Sequence, residues 1–290
     1  KVEGIRPADY FFRRQLWLLV FALIDVFLLL WNGDILLDYA IFGMILFTFR
    51  NLSPKKLLIA AGVCLLFMLA RENRDLFQDK KVIARGETVA KLDTTKVKLT
   101  PKQKDQLGAM QEYKESSSIE KRAKRIEKNV RKISSGSYEE LYEFRTERYL
   151  GHLVQYVFFE LWDVLLLMFL GMAFFKMGIL TGDAPVKLYW WMLIIGLGLG
   201  LFISYLQVQE AVKYQYNNFE YTKHTSFSYY QFHRMLRSLG LFAAIMLLYR
   251  SGVFKWLFAL MRPVGQMAFT NYLMQSILCG FYFNSIGLGM

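Results

Sequence analysis

Seven apolar runs, at about 15–31, 35–49, 56–70, 153–175, 187–206, 238–249 and 264–283, alternate with polar intervals along the 290-residue chain. Runs of this kind predict bilayer-crossing helices. Several fall short of the roughly 20 residues that a perpendicular span needs, which predicts tilted, broken or re-entrant segments. Between the third and fourth runs lies a long charged stretch, and residues 208–236 form a shorter polar stretch rich in Tyr, Asn and Gln. The pattern therefore predicts an all-α fold: a polytopic transmembrane helical bundle with a partly helical extracytoplasmic insert. Its parts are a first transmembrane part (1–70), the insert (71–150) and a second transmembrane part (151–290) that carries the polar loop. Within the insert, SSSIEKRAKRIEKNVRK (116–132) predicts a helix with Ser117 and Glu120 at capping-box spacing. It reads either as a solvated charged helix, or as a lid or a site for anionic headgroups or a partner.

Composition supports a membrane setting. Hydrophobic residues make up 54% of the chain, aromatics 17%, and the mean hydropathy is +0.24, all high for a soluble protein of this length. The formal net charge of +12 would suit nucleic acid if it were clustered on a globular face. Instead 20 of the 36 Lys and Arg residues fall in 71–150, beside 14 of the 24 Asp and Glu, and most of the others mark the ends of apolar runs. Nucleic-acid binding is not expected. Placing Arg13 and Arg14 in the cytoplasm brings Arg50, Lys55, Lys56, Lys176, Lys187, Arg250, Lys255 and Arg262 to the same side. The 71–150 stretch, too long to count in the positive-inside rule, falls outside. Trp17, Trp31, Trp190, Trp191 and Trp256 lie near segment ends, as interfacial anchors do. The chain opens on Lys1 without a methionine, and a portion of a longer protein is expected.

The chemistry-bearing signal is a set of acids in or at the edge of the apolar runs: Asp25, Asp34, Asp38, Glu160 and Asp163. Asp34 and Asp38 share a helical face at i, i+4, and Glu160 and Asp163 do so at i, i+3. No Lys, Arg or His stands in the interior of those runs. An unpaired carboxylate in a bilayer costs at least ~2.5–3.5 kcal/mol on insertion scales, so these acids should face the bundle interior or a wet cavity opening outward. They would be protonated, hydrogen-bonded to Tyr39 or Trp162, or bridged to a ligand. Asp34, following Gly33, also reads as an N-cap. Glycines 196, 198 and 200 read as close helix packing rather than a nucleotide loop. Cys64 and Cys279 lie inside apolar runs and carry no disulfide or metal signal. His152, His224 and His233, with Glu210 or Glu220, lack metal-ligand spacing, and no metal site is expected.

RRQLWLLVFALIDVFLLLWNGDILLDYAIFGMILFTFRNLSPKKLL (13–58) resembles the YeiB-like family of bacterial inner-membrane proteins of unknown function. GSYEELYEFRTERY (136–149), LGMAFFKMGIL (170–180) and RPVGQMAFTNYLMQSILC (262–279) are similar to the same family in the same order. The family is grouped with transmembrane acyltransferases that use a cytoplasmic donor such as acyl-CoA to modify a sugar across the membrane. The resemblance thus implies a multi-pass acyltransferase-like protein of the bacterial inner membrane, acting on an envelope glycan or lipid. Acyl-CoA is the donor it implies, with no tightly bound cofactor. Asp34 or Asp38 would take the acceptor's proton, oriented by Asp25 or Glu160. Asp163, Arg145, Tyr39, Asn271 and Gln275 would contact substrate. Two departures stand out: Asp25 occupies a position where the family commonly has a histidine, and the family's first helix and its last segment are absent. The residues leave two other readings open: a proton- or cation-coupled transporter of a small envelope metabolite, and an accessory subunit. Partners expected are the lipid bilayer, a small-molecule or glycan substrate, and a second copy or partner protein at the 71–150 insert.

Overall fold

The structure, a computed structural model, describes residues 5–31, 33–92, 98–159 and 161–290. Among them every regular element is helical. In order these are α1 (Ile5–Phe27), α2 (Leu36–Leu46), α3 (Pro54–Ala90), α4 (Pro101–Ser116), α5 (Ile119–Ser135), α6 (Tyr138–Phe159) and α7 (Leu161–Lys176). Then follow α8 (Val186–Leu193), α9 (Gly200–Lys213), α10 (Asn218–His224), α11 (Tyr230–Ser251), α12 (Lys255–Gln266) and α13 (Ala268–Phe283). A π-helical stretch, Ile194–Leu199, joins α8 and α9 into one 28-residue helix.

Among the described residues the apolar runs fall mostly on helices, but only two of the described helices are long and apolar enough to cross a membrane: Val186–Lys213 and Tyr230–Ser251. Three of the other runs are interrupted or continued in identifiable ways. The 35–49 run is an 11-residue α-helix continued by a 3₁₀ turn at Phe47–Phe49, and the 264–283 run is interrupted at Met267 between α12 and α13. The 56–70 run lies in α3, which continues through Arg71, Glu72 and Arg74 without a break. Only 11% and 28% of the apolar windows of the two long helices are buried within the protein. The core helix of a soluble protein would be mostly buried, so these apolar faces need a different cover.

Two compact units make up the chain. The first comprises Lys1–Leu65, Asn129–Ala184 and Leu248–Met290. Its centre is the antiparallel pair α1 and α2. Leu28 and Leu29 both donate their backbone N–H to the Ile24 carbonyl, and Leu30 then turns into the left-handed region at φ 55°. A branched, fully buried residue incurs a steric cost there; the reversal returns Trp31 N–H to the Asp25 carbonyl at 3.0 Å. α13 joins the pair through the Phe21–Phe269 ring contact at 4.9 Å. At the other end Lys176 Nζ donates to the carbonyls of Arg50 and Leu52, each at 2.6 Å, so Arg50 and Lys176 sit together, as their shared sidedness predicts.

The second unit comprises Leu66–Lys128 and Pro185–Leu247. A small core of Ile83, Met110 and Phe219, flanked by Leu107 and Tyr113, ties α3, α4 and α10 together. A carboxylate latch starts α11: Glu72 accepts from Ser228 Oγ, from Tyr230 N at 3.2 Å and from Gln231 N at 3.3 Å, while Asn73 bonds both Ser228 N and Ser228 O. The packing reading of the glycines holds for two of the three. A Cβ on Gly196 would stand 2.7 Å from the Gly240 backbone, and one on Gly200 would stand 2.9 Å from Arg237 Cγ; Gly198 meets nothing within 4 Å. The predicted cap at Ser117 is displaced by one residue. Ser118 Oγ accepts from Lys121 N, whereas Ser117 Oγ donates back to the Tyr113 carbonyl and closes α4. Reciprocal capping boxes occur instead at Thr100–Gln103 and, in the first unit, at Ser137–Glu140.

Candidate functional site

The α1–α2 reversal in the first unit folds Asp34 back toward Asp25. Asp34 accepts from Leu36 N at 3.1 Å and Leu37 N at 2.9 Å, so its carboxylate caps the first turn of α2. A third group reaches both acids from α13. The Tyr272 hydroxyl lies 3.1 Å from Asp34 Oδ1 and 3.4 Å from Asp25 Oδ2, and accepts from Ile35 N at 3.2 Å. Ser276, one turn further along α13, faces Asp25 as well. Asp25, Asp34 and Asp38 are all buried, and Asp25 is wholly so. The second oxygen of Asp25, Oδ1, has no hydrogen-bond partner among the described residues. Tyr149 on α6 lies within electrostatic reach of Asp34 and Asp38.

Against this cluster stands a cavity of about 1120 Å³. Its walls are apolar, including Trp17, Leu18, Phe21, Leu36, Met172 and Phe269, and its polar groups stand mainly at the two ends. Arg14, Gln15 and Arg50 line one end; Tyr39 and Tyr272 line the other. Arg14 precedes Asp25 by eleven residues on one helix, which at 1.5 Å per residue is about 16 Å. Gln15 Oε1 is buried in the wall without a donor among the described residues, and a Cβ on Gly43 would stand 2.8 Å from it. Gly43 therefore makes the space in which that amide sits. The three acids are absent from the lining, whereas Tyr272, which meets Asp34 and Asp25, is part of it. This cavity is mainly apolar, and it reaches Asp34 and Asp25 through the Tyr272 hydroxyl.

Of the residues singled out from sequence, the structure brings together Asp25 and Asp34, buries Asp38 in the first turn of α2 within electrostatic reach of Tyr149, and sets Tyr39 in the cavity lining. Asp163 lies in the first turn of α7, and Glu160 lies outside the described residues. Arg145, half-buried, donates from Nη2 to Asn284 Oδ1 at 3.3 Å. Asn271 donates to the Val264 carbonyl, and both Asn271 and Gln275 are exposed. The inward face of α13 is one position on, at Phe269, Tyr272, Ser276 and Gly280. A Cβ on Gly280 would lie 3.8 Å from the Leu29 carbonyl. Small residues at four-residue spacing, Ser276 and Gly280, are the sequence signal that marks that face. Two of the three histidines, His224 and His233, are engaged in the second unit, and the side chain of His152 lies outside the described residues. His233 meets Ser204 at 3.0 Å and Gln207 at 2.6 Å; His224 stacks on Tyr214 at 5.0 Å.

Comparison with known proteins bears on the second half of the chain most directly. Residues 174–290 match the family described as "Protein of unknown function (DUF418)". That stretch holds Tyr272 and Ser276, whereas Asp25 and Asp34 precede it. A stretch of 68 residues is 44% identical to the "Uncharacterized protein YxaH" of Bacillus subtilis (strain 168), covering 23% of this chain and 17% of that protein. The match thus spans under a fifth of that relative's length. No solved structure matches the chain.

Proposed function

We propose that the chain is part of a multi-pass protein of the bacterial inner membrane with an acyltransferase-like activity, moving an acyl group from a cytoplasmic donor to an envelope glycan or lipid. The observation that carries this reading is the cavity itself: mainly apolar walls, with Arg14 and Arg50 from one part of the lining and Tyr272, backed by two carboxylates, from another. Arg14 and Arg50 suit the phosphates of an acyl-CoA. Apolar walls suit its extended arm and acyl chain, and Gln15 Oε1 offers an acceptor for an amide N–H. A transporter of a small polar metabolite would call for polar walls, which places that reading second. The exposed apolar faces of Val186–Lys213 and Tyr230–Ser251, and the large exposed side chains of α12 and α13 such as Trp256, Leu260 and Leu278, support the membrane setting. The seven-run count and the YeiB-like kinship are part of this proposal.

In this mechanism the acceptor's hydroxyl oxygen attacks the thioester carbonyl carbon. Its proton passes to the Tyr272 hydroxyl as Tyr272 gives its own to Asp25. The new carbon–oxygen bond forms, the carbon–sulfur bond breaks, and the departing thiolate takes a proton back along the same route. Asp34, held by Leu36 N and Leu37 N, positions Tyr272 and caps α2, while Asp25, with its unpartnered Oδ1, receives the proton. Asp38 and Tyr149 complete the polar end. The test is thermal stability in nanodiscs against acyl-CoAs of increasing chain length. A ligand held only by the native state at 100 times its Kd stabilises by about 2.7 kcal/mol. Stabilisation that weakens in Arg14→Ala and Arg50→Ala is expected; stabilisation by none of the acyl-CoAs overturns the reading, and pH-dependent uptake of a solute without covalent change would replace it with transport.

A further inference from the structure

Helix α5, IEKRAKRIEKNVRKISS, carries seven basic and two acidic side chains in 17 residues. Its apolar residues, Ile119, Ala123, Ile126, Val130 and Ile133, recur at i, i+4, i+7, i+11 and i+14, which places them on one stripe. No residue of the helix is buried, and Ile119, Ile126 and Val130 are more than half exposed. The stripe is therefore uncovered in the protein while cations crowd the rest of the surface. An amphipathic helix of this composition is built to lie in the plane of a bilayer surface, apolar stripe down and basic groups among the headgroups.

Where α5 ends supplies the second observation. The Ile133 carbonyl accepts from Ser285 N at 2.8 Å, and a Cβ on Gly289 would stand 2.3 Å from the Ser134 carbonyl. The last turn of α5 is thus fastened to the chain just beyond α13. The neighbouring α13 residues Phe281, Tyr282 and Phe283 are exposed aromatics, the kind found at a membrane–water boundary. That tether holds the last turn of α5 beside the exposed aromatic end of α13.

We infer that α5 docks on anionic lipid headgroups of the same bilayer that holds the chain, an inference that rests on the membrane placement proposed above but not on acyl transfer. Charge selects this occupant over a second copy of the helix. Two such helices would bring two strongly cationic surfaces together, and the stripe covers only about two heptads, short of the three or four that a coiled coil sustains. Each Lys or Arg near an anionic surface contributes favourably, and removal of several should be felt multiplicatively.

The test uses the full chain in nanodiscs of phosphatidylcholine alone or with phosphatidylglycerol, read by amide hydrogen exchange across 119–133. Co-elution of the chain with the discs checks the membrane placement separately. Protection of 119–133 at least about tenfold greater in the anionic discs is expected. It should collapse in Lys124→Glu/Arg125→Glu/Lys128→Glu and in Ile126→Ser/Val130→Ser, while exchange in α2 and α13 stays unchanged. Those unaffected helices show that the variants are folded. Equal protection in both lipid compositions overturns the proposal, as does protection that rises with protein concentration per disc, which would assign the stripe to a second copy. Protection that appears only when an acidic protein is added would assign it to that partner and overturn it equally. Failure to co-elute would sink the membrane placement itself.

Discussion

Removing one oxygen atom should separate the two faces of α13. Tyr272→Phe keeps the ring that packs beside Phe269 and deletes the hydroxyl that meets Asp34, Asp25 and Ile35 N at 3.1, 3.4 and 3.2 Å. Two losses follow. Ile35 N–H loses its acceptor, which in a water-soluble setting costs about 1 kcal/mol, and the two carboxylates lose a hydroxyl donor, a charge-assisted bond worth about 1.5–3 kcal/mol. Hydrogen bonds between membrane helices measure lower, about 0.6 on average and at most ~1.7 kcal/mol. The Tyr272→Phe cost is therefore placed at about 1.5–3 kcal/mol, measured by reversible denaturation in micelles. Gln275→Ala, on the exposed face, should stay within about 0.5 kcal/mol. The double variant Tyr272→Phe/Asp25→Asn should cost less than the sum of its parts, because a neutral amide no longer calls for the phenol. Equal costs for Tyr272→Phe and Gln275→Ala, or strict additivity with Asp25→Asn, would refute the cluster as described.

Three further outcomes follow in the second unit. Glu72→Gln keeps size but loses the charge that gathers Ser228, Tyr230 and Gln231, so it should cost about 1 kcal/mol and Glu72→Ala about 2; exchange of the first α11 amides reports it, and a Glu72→Gln variant as stable as the wild type would count against a charge-dependent cap. Gly240→Ala places a Cβ 2.5 Å from Leu197 N, forcing two helices apart, and should cost more than Gly198→Ala, which meets open space; a smaller cost in a thermal melt would contradict the packing. Burial pushes the Asp79 carboxyl above its ordinary range, partly offset by the Tyr113 hydroxyl at 3.3 Å. A raised folded value means that the protonated form is the one favoured by folding, so this contribution is present in acid and is lost as pH rises through the folded value. Asp79→Asn should flatten that part of the stability–pH profile, and an unchanged profile would show that Asp79 does not govern it.

Much of this was legible in the residues. Apolar runs located the helices because helix formation in these stretches follows local periodicity. Asp34 after Gly33 announced a cap, and the cap is there. Gly196 and Gly200 announced close packing, and a neighbouring glycine, Gly240, meets the first of them. Other features depended on tertiary structure. Asn271/Gln275 and Tyr272/Ser276 have the same i, i+4 spacing one position apart, and only the packing of α13 against α1 decides which pair turns inward. Leu30 carries no sequence mark of a left-handed residue, yet that residue turns the chain so that Asp34 meets Asp25. The cap at Ser118 rather than Ser117 is a choice among three consecutive serines that local spacing does not resolve.

The most direct test of the proposed activity is release of free CoA from acyl-CoA by the full protein in proteoliposomes made with envelope lipid and glycan extract. Wild type, Asp25→Asn and Asp38→Asn would be compared at saturating donor. General acid–base groups contribute about 10²–10⁴-fold, so the account predicts extract-dependent release that falls at least about 100-fold in Asp25→Asn while acyl-CoA still raises the melting temperature of that variant. Release unchanged in Asp25→Asn, or no release from wild type with any acyl chain length, would contradict it.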